Sequence, residues 1–346
     1  MALRFFDSFD HYATADILTK WTTGNTANGS NITTGGRNST SRFRMVHTFD
    51  SIAKVIDSQA TWIVGFAFST SNNLTANLYR ILGIIDSSTE HISLALDTSG
   101  HLVVRRGSVG AGTTLGTGTT VLSQDTFYYI ELKVTISDSA GVIVLKINGA
   151  TELNLTSQDT RNGGNATADT ITLGAGGQNN SAAIFSYDDL YICDGTGSAP
   201  DNDFLGDCRV EASLPSGNGN SSQLVGSDAD STNNYLLVDE SAPNGDTDYV
   251  ESSTVGNKDT YAMGNLASTS GTVYGVQPVP VAKKTDAGSR SIVSVVRLSS
   301  TEVDSAAKTL TSSYLILPDV RTTKPGGGAW TITDWNNAEA GVKVNA

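Results

Sequence analysis

FYYIELKVTISDSAGVIVLKINGATELNLT, Phe127 to Thr156, decides the fold. Tyr128, Ile130, Leu132, Val134 and Ile136 alternate with Phe127, Tyr129, Glu131, Lys133 and Thr135. That period of two belongs to a β-strand with one apolar face. After a short loop, Ile143, Leu145 and Ile147 alternate with Val142, Val144, Lys146 and Asn148. Asn148-Gly149 marks a tight turn into a third strand, TELNLT. Further on, FSYDDLYICD, Phe185 to Asp194, closes the same antiparallel domain.

The pattern extends in both directions. TWIVGFAFST (61–70) is apolar or small on both faces, which predicts a central strand. SRFRMVHTF (41–49) and NLYRILGIID (77–86) are further strands, and HISLALDTSGHLVVRRG (91–107) is a hairpin with Thr98-Ser99-Gly100 at its turn. VGAGTTLGTGTT (109–120) reads as a loop, and without a Walker lysine it is no phosphate cradle. Residues 2–24 predict an entry strand and a short helix capped by Thr14, followed by a polar loop or hairpin edge over 25–41. Residues 196–208, rich in turn formers, read as a linker. Beyond it come short strands at sandwich spacing, with a short helix at Asp334–Ala340. The expected fold class is all-β: two antiparallel β-sandwich domains, residues 1–195 and 209–346, joined by the linker 196–208.

Composition agrees. Charged residues are 16% of the chain, below the usual level of about a quarter. Glycine is abundant, at 35 residues, which suits many strands joined by polar turns. The net charge of −13 repels nucleic-acid phosphates, so no nucleic-acid partner is expected. No apolar run has the length of a signal peptide or a membrane span, so no membrane partner is expected and synthesis in a cytoplasm is. Sequons at Asn28, Asn31, Asn38, Asn73, Asn154, Asn165 and Asn179 follow from the Asn/Ser/Thr content. Cys193 and Cys208 could bridge, but reduced thiols are the expectation.

The strand TWIVGFAF, the hairpin HISLALDTSGHLVVRRG, the pair FYYIELKV and GVIVLKINGATEL, and FSYDDLYI together resemble the concanavalin-A-like (laminin-G-like) jelly-roll sandwiches. The start MALRFFDSFDHYATADILTKW, the junction DDLYICDGTGSAPDNDFLGDCRVEASLPSGNG, and the later APNGDTDYVESS, DTYAM and AWTITDWNNAEAGVKV are similar to structural proteins of tailed bacteriophages. That resemblance implies a virion component, such as a capsid decoration, head fibre or tail fibre. It would be made in the host bacterial cytoplasm, be homo-oligomeric (trimers being common in such proteins), and contact other virion proteins. The expectation is a non-enzymatic surface protein; the alternative is a receptor-binding module for a host surface glycan.

Chemistry is sparse. A glycosidase needs two carboxylates across the scissile bond, about 5–5.5 Å apart for retention. Glu302-Val303-Asp304 is the nearest match to E-x-D-x-x-E, but Ala307 stands where the third acid belongs. His11, His47, His91 and His101 show no triad spacing, and no G-x-S-x-G elbow is present. No cofactor is required, although Ca²⁺ could be held by Asp201, Asp203 and Asp207 or by Asp246 and Asp248 with Glu251. Asp228-Ala-Asp230 departs from the EF-hand template, with Asn233 in place of Gly and Asp239 in place of Glu. Trp330 and Trp335, near loops, are the candidate sugar-stacking residues. Asp188-Asp189 reads as a structural pair accepting backbone N–H bonds at a strand end.

Overall fold

The computed structural model of the chain describes residues 2–71, 74, 78–174 and 184–346. The sequons at Asn73 and Asn179 lie outside the described residues. Two compact units emerge. The first takes the residues up to Phe9 with Trp21–Val210, and the second takes Asp10–Lys20 with Glu211–Ala346. Among the described residues no helix is long and apolar enough to cross a membrane.

The strands of the first unit are β1 (Leu3–Asp7), β2 (Thr23–Asn25), β3 (Asn31–Thr34), β4 (Ser41–Met45), β5 (Ser51–Gln59), β6 (Thr61–Thr70), β7 (Leu78–Asp86), β8 (Thr89–Asp97), β9 (His101–Arg106), β10 (Thr113–Val121), β11 (Tyr128–Thr135), β12 (Gly141–Ile147), β13 (Ala150–Gln158), β14 (Ala168–Gly174) and β15 (Phe185–Asp194). One antiparallel sheet runs β13-β12-β11-β6-β15-β4-β3, with β1 also on β15. The other runs β10-β9-β8-β7-β14-β5-β2. Chains that alternate in β11 bury one side completely: Ile130, Leu132 and Val134 are fully inaccessible. They pair with Phe66, Val64 and Trp62 of β6, and Leu82, Leu94 and Leu173 of the second sheet are likewise fully buried. Each such side chain contributes about 1.5–3 kcal/mol when buried. Two polar contacts pin sheet to sheet. Trp62 Nε1 donates to the Ala168 carbonyl at 3.0 Å and the Tyr187 hydroxyl to that of Ile81 at 3.0 Å.

Asn148 and Gly149 both have positive φ, 49° and 80°, as the two-residue turn between β12 and β13 demands. The segment 109–120, expected as a loop, is in large part the edge strand β10. Its glycines face β13: a Cβ on Gly116 would crowd Leu153 and Leu155, and one on Gly118 would crowd Glu152. Absence of side chains lets the edges of the two sheets close. Glu152 then accepts the Thr120 N–H at 2.7 Å and its hydroxyl at 2.8 Å, and also bonds Thr119. Burial opposes its charge, but those bonds hold the carboxyl below its usual value.

β15 changes partner half-way. Phe185–Tyr187 pairs with β4 and Leu190–Cys193 with β1, and the register against β6 shifts between Asp188 and Tyr191. Asp189 sits in the irregularity with φ 49°. The Asp188-Asp189 pair does accept backbone N–H groups, but in mid-strand. Asp188 takes those of Arg37 and Asp189, and Asp189 takes that of Val210.

The second unit is also antiparallel β. Its main sheet orders Pro215–Ser222, Lys258–Met263, Ala338–Val344, Ser291–Leu298 and Thr301–Asp304, with Lys308–Thr309 on Ser291–Leu298. Two ribbons accompany it, Val225–Gly226 with Val250–Glu251 and Val281–Ala282 with Leu315–Ile316. The short helix is Ile332–Asn336, not 334–340. Thr331 caps it and exchanges bonds with Asp334, and Asn337 leads straight into the strand Ala338–Val344. Near the start of the chain, a 3₁₀ turn at Thr14–Asp16 precedes the helix Ile17–Lys20. Its N-cap is Ala13 and not Thr14, because the Asp16 carboxylate accepts the Ala13 N–H.

Candidate functional site

The residues predicted to bind sugar or metal are placed elsewhere by the fold. Trp330 and Trp335 are 2% and 7% exposed and stand edge to face, centroids 6.0 Å apart, in the core of the second unit. They pack on Val276, Val296 and Ala338 and cannot stack on a ligand in this state. Trp21 and Trp62 are buried as well. The acidic candidates do not converge either, and among the described residues no group of three metal-ligating side chains does. Asp203 pairs with Lys133 at 3.0 Å and Asp207 with Arg37. Asp201 is partly buried, which raises its carboxyl pKa. Asp246 lies between Lys283 Nζ at 2.6 Å and the Tyr314 hydroxyl at 2.8 Å, and both hold its carboxyl below the usual range. Asp248 accepts from Asn244 at 2.8 Å. Of the hydrolase candidates, Glu302 is paired with Lys258 at 2.6 Å and Asp304 with Lys343.

Residues 203–210, most of them inside the expected linker, form a strap on the first unit. Gly65 leaves room for the Tyr191 ring, since a Cβ there would overlap it. The Tyr191 hydroxyl donates to Glu131 Oε1 at 2.5 Å and accepts the Leu205 N–H, while Gly206 N–H donates to the same Glu131 oxygen at 2.9 Å. Arg37 locks the far end. Its Nε donates to Asp189 Oδ2 at 2.8 Å, Nη1 to Asp207 and Nη2 to the Cys208 carbonyl at 2.5 Å, with the guanidinium 4.9 Å from the Tyr129 ring centre. Cys193 and Cys208 are free thiols beside this cluster. Burial drives both pKa values up, that of Cys208 to about 12, which keeps them unreactive.

An open, concave feature among the described residues lies at one end of the sandwich, where β6, β8 and β10 finish and β9 begins. A cleft of about 290 Å³ is lined there by Thr70, Leu74, Leu96, Asp97–Gly100, Leu122 and Gln124. Asp97 shapes it: Oδ1 accepts the N–H groups of Ser99 and His101, both at 2.8 Å, and Oδ2 lies 3.3 Å from His101 Nδ1. Those bonds fix the hairpin turn, with Gly100 at φ 88°. Among the described residues no lysine or arginine lines the cleft. At the same end, the β4–β5 connection presents Phe49, which is 41% exposed and stacked on His47 with centroids 5.2 Å apart. Among the described residues Phe49 is the exposed aromatic side chain. The hairpin was legible in the sequence, but Asp97, Gln124 and Phe49 carry no motif that marks them as a site.

His91 stands apart from this cleft. It is fully buried, and Nδ1 accepts the Asn162 N–H at 3.0 Å. Burial lowers the imidazole pKa, with Arg161 acting the same way and Asp86 against it. A depressed imidazole pKa means the neutral ring belongs to the fold. Its contribution is complete above the ordinary value of about 6.5 and is lost as pH falls through the lower folded value. We expect the first unit's Tm to fall more steeply from neutral to mildly acidic pH than in His91→Gln. Parallel pH profiles for the two proteins in calorimetry would contradict this.

No family model matches the sequence, and no curated protein does. Solved structures share the jelly-roll fold. Alginate lyase Aly36B has a TM-score of 0.41 at 13% identity, over 54% of this chain and 95% of its own. The cellulose-induced protein Cip1 has a TM-score of 0.39 at 11% identity, over 51% and 91%. A sialidase has 0.40 at 15%, over 55% of this chain and 18% of its own. Likeness at this level concerns the fold only. It nevertheless corrects two expectations. The similar structures named here are a lyase, a cellulose-induced protein and a sialidase, none of them a phage protein, so the expectations of a virion structural role and of a non-enzymatic protein find no support in them.

Proposed function

We propose that the first unit binds carbohydrate at the loop end of its sandwich. The cleft carries this reading. Thr98 and Ser99 with their hydroxyls, Asp97 with its carboxylate and Gln124 with its amide line a space the size of a small sugar. Such groups match sugar hydroxyls, which both donate and accept. The exposed Phe49 ring at the same end supplies a flat apolar face for a pyranose. With a carboxylate and no cation among the described lining residues, the cleft favours a neutral sugar over a uronate or sulfated one. On the resemblance of the sequence to tailed-phage proteins, the glycan would belong to a bacterial host surface.

A glycan array with the purified chain tests this directly, followed by calorimetric titration of any hit. Phe49→Ala and Gln124→Ala alter exposed side chains, so each is expected to weaken binding about tenfold with Tm unchanged. Binding unaffected by both changes, or no neutral glycan retained on the array, would remove the proposal. Asp97 also orients His101, an acid–imidazole pair that favours glycan processing as a second reading. Release of reducing ends or unsaturated ends from a bound glycan, lost in His101→Ala, would establish it. Intact glycan after prolonged incubation would dismiss it.

A further inference from the structure

In β4, Phe43 and Met45 point into the sandwich and are fully buried, so Arg42 and Arg44 stand on the outer face of the sheet. Register sets their neighbours. Arg44 is opposite Asn31 on one side and Ser186 on the other, and Arg42 is opposite Thr33. Ser186 is in turn opposite Ser69 of β6. Alternate residues of one strand lie about 7 Å apart, so two side chains as long as arginine can reach one small anion.

Among the described residues neither arginine forms a hydrogen bond or an ion pair. That is unexpected in a chain with 35 acidic and 22 basic residues. Arg42 Nε is buried without an acceptor. Burial presses the Arg42 pKa down, Arg44 acts the same way, and Asp125 and Asp188 act against them. Neither acid answers the charge directly. Asp188 is committed to the N–H groups of Arg37 and Asp189 and to the Thr40 hydroxyl, and Asp125 is exposed to water. Ser69 and Ser186 are 4% and 2% exposed, and neither hydroxyl is hydrogen-bonded among the described residues. Like charges held side by side and polar groups left unmet both cost stability. The fold gains nothing from either, whereas an anion would answer the two arginines and the two hydroxyls together.

We propose that Arg42 and Arg44, with the hydroxyls of Ser69 and Ser186, form a site for an oxyanion, the carboxylate or phosphate group of a ligand. The guanidinium fork matches the paired oxygens of either group, and opposite charge strengthens those hydrogen bonds. Serine hydroxyls add neutral donors to the same oxygens. The site lies on the outer face of the sheet and does not rest on the carbohydrate cleft.

Calorimetric titration of the full chain with sodium glucuronate and with sodium phosphate tests this, with glucose as the neutral control. The expected result is binding of at least one anion and none of glucose, with affinity falling as sodium chloride is raised. Binding of glucuronate alone identifies a carboxylate as the group recognised, and binding of phosphate alone a phosphate group. Arg44→Gln is expected to weaken anion binding at least about tenfold. Because it also relieves repulsion, its Tm stays unchanged or rises, which a merely structural arginine would not allow. Arg290→Gln, which removes an exposed arginine of the second unit, leaves binding as it was. No binding of either anion at millimolar concentration, equal binding by Arg44→Gln, or equal binding of glucose would overturn the assignment.

Discussion

Gly341→Ala is expected to destabilise the second unit by about 3 kcal/mol or more, at the upper end of overpacking effects. Gly341 is in the central strand Ala338–Val344, paired with Thr260 on one side and Val295 on the other. A Cβ on it would overlap the Asp259 carbonyl oxygen and lie 2.8 Å from the Asp259 carbonyl carbon and from Thr260 Cα. These are backbone atoms of the neighbouring strand, so no rotamer change relieves the clash. The strands must separate, and the ladder from Lys258 to Ala262 loses its partner. Asp259 moves with it, and that carboxylate holds the N–H groups of Gln223 and Leu224 at 2.6 and 2.8 Å. Calorimetry should show the second unit's transition lowered while that of the first is kept. A loss below about 1 kcal/mol would mean that the strands yield more cheaply than close packing allows.

Arg37→Ala is the second large effect, expected to cost the first unit about 3 kcal/mol. The Asp189 side chain is 4% exposed and that of Arg37 19%, so the pair is largely shielded from water. Removing one member of a buried pair strands the other charge, a change that costs about 3–5 kcal/mol. The lower figure applies here because Asp189 keeps the Val210 N–H at 2.7 Å and can take a proton, its carboxyl being already raised by burial. Arg37→Lys should recover less than half, since one ammonium cannot reach Asp189, Asp207 and the Cys208 carbonyl together. Denaturant unfolding measures the loss. Limited proteolysis within 203–210 should accelerate in parallel, and a strap as resistant in Arg37→Ala as in the parent would count against the role of Arg37.

The alternation of β11 and β12 was legible because each residue's side follows from parity alone. Ile130, Leu132, Val134, Ile143 and Leu145 are all buried as their positions require. β10 was not legible. Glycine and threonine there look like loop composition, and only the approach of Leu153, Leu155 and Glu152 explains Gly116 and Gly118. Trp330 and Trp335 failed for a related reason. Their neighbours in sequence are polar or turn-forming, but the cluster that buries them comes from Val276, Val296 and Ala338. The aromatic exposed at a loop end turned out to be Phe49, whose neighbourhood reads as strand.

By itself the sequence determined the class of the protein. A period of two, sparse charge and Asn-Gly turns leave antiparallel sheets as the structure that buries its apolar residues. Tertiary structure decided everything that depends on which strand ends meet. It gathered Asp97, Gln124 and Phe49 at one end of a sandwich and turned the expected linker into a strap over Glu131. Such meetings are set by register and sheet order, which local patterning does not encode.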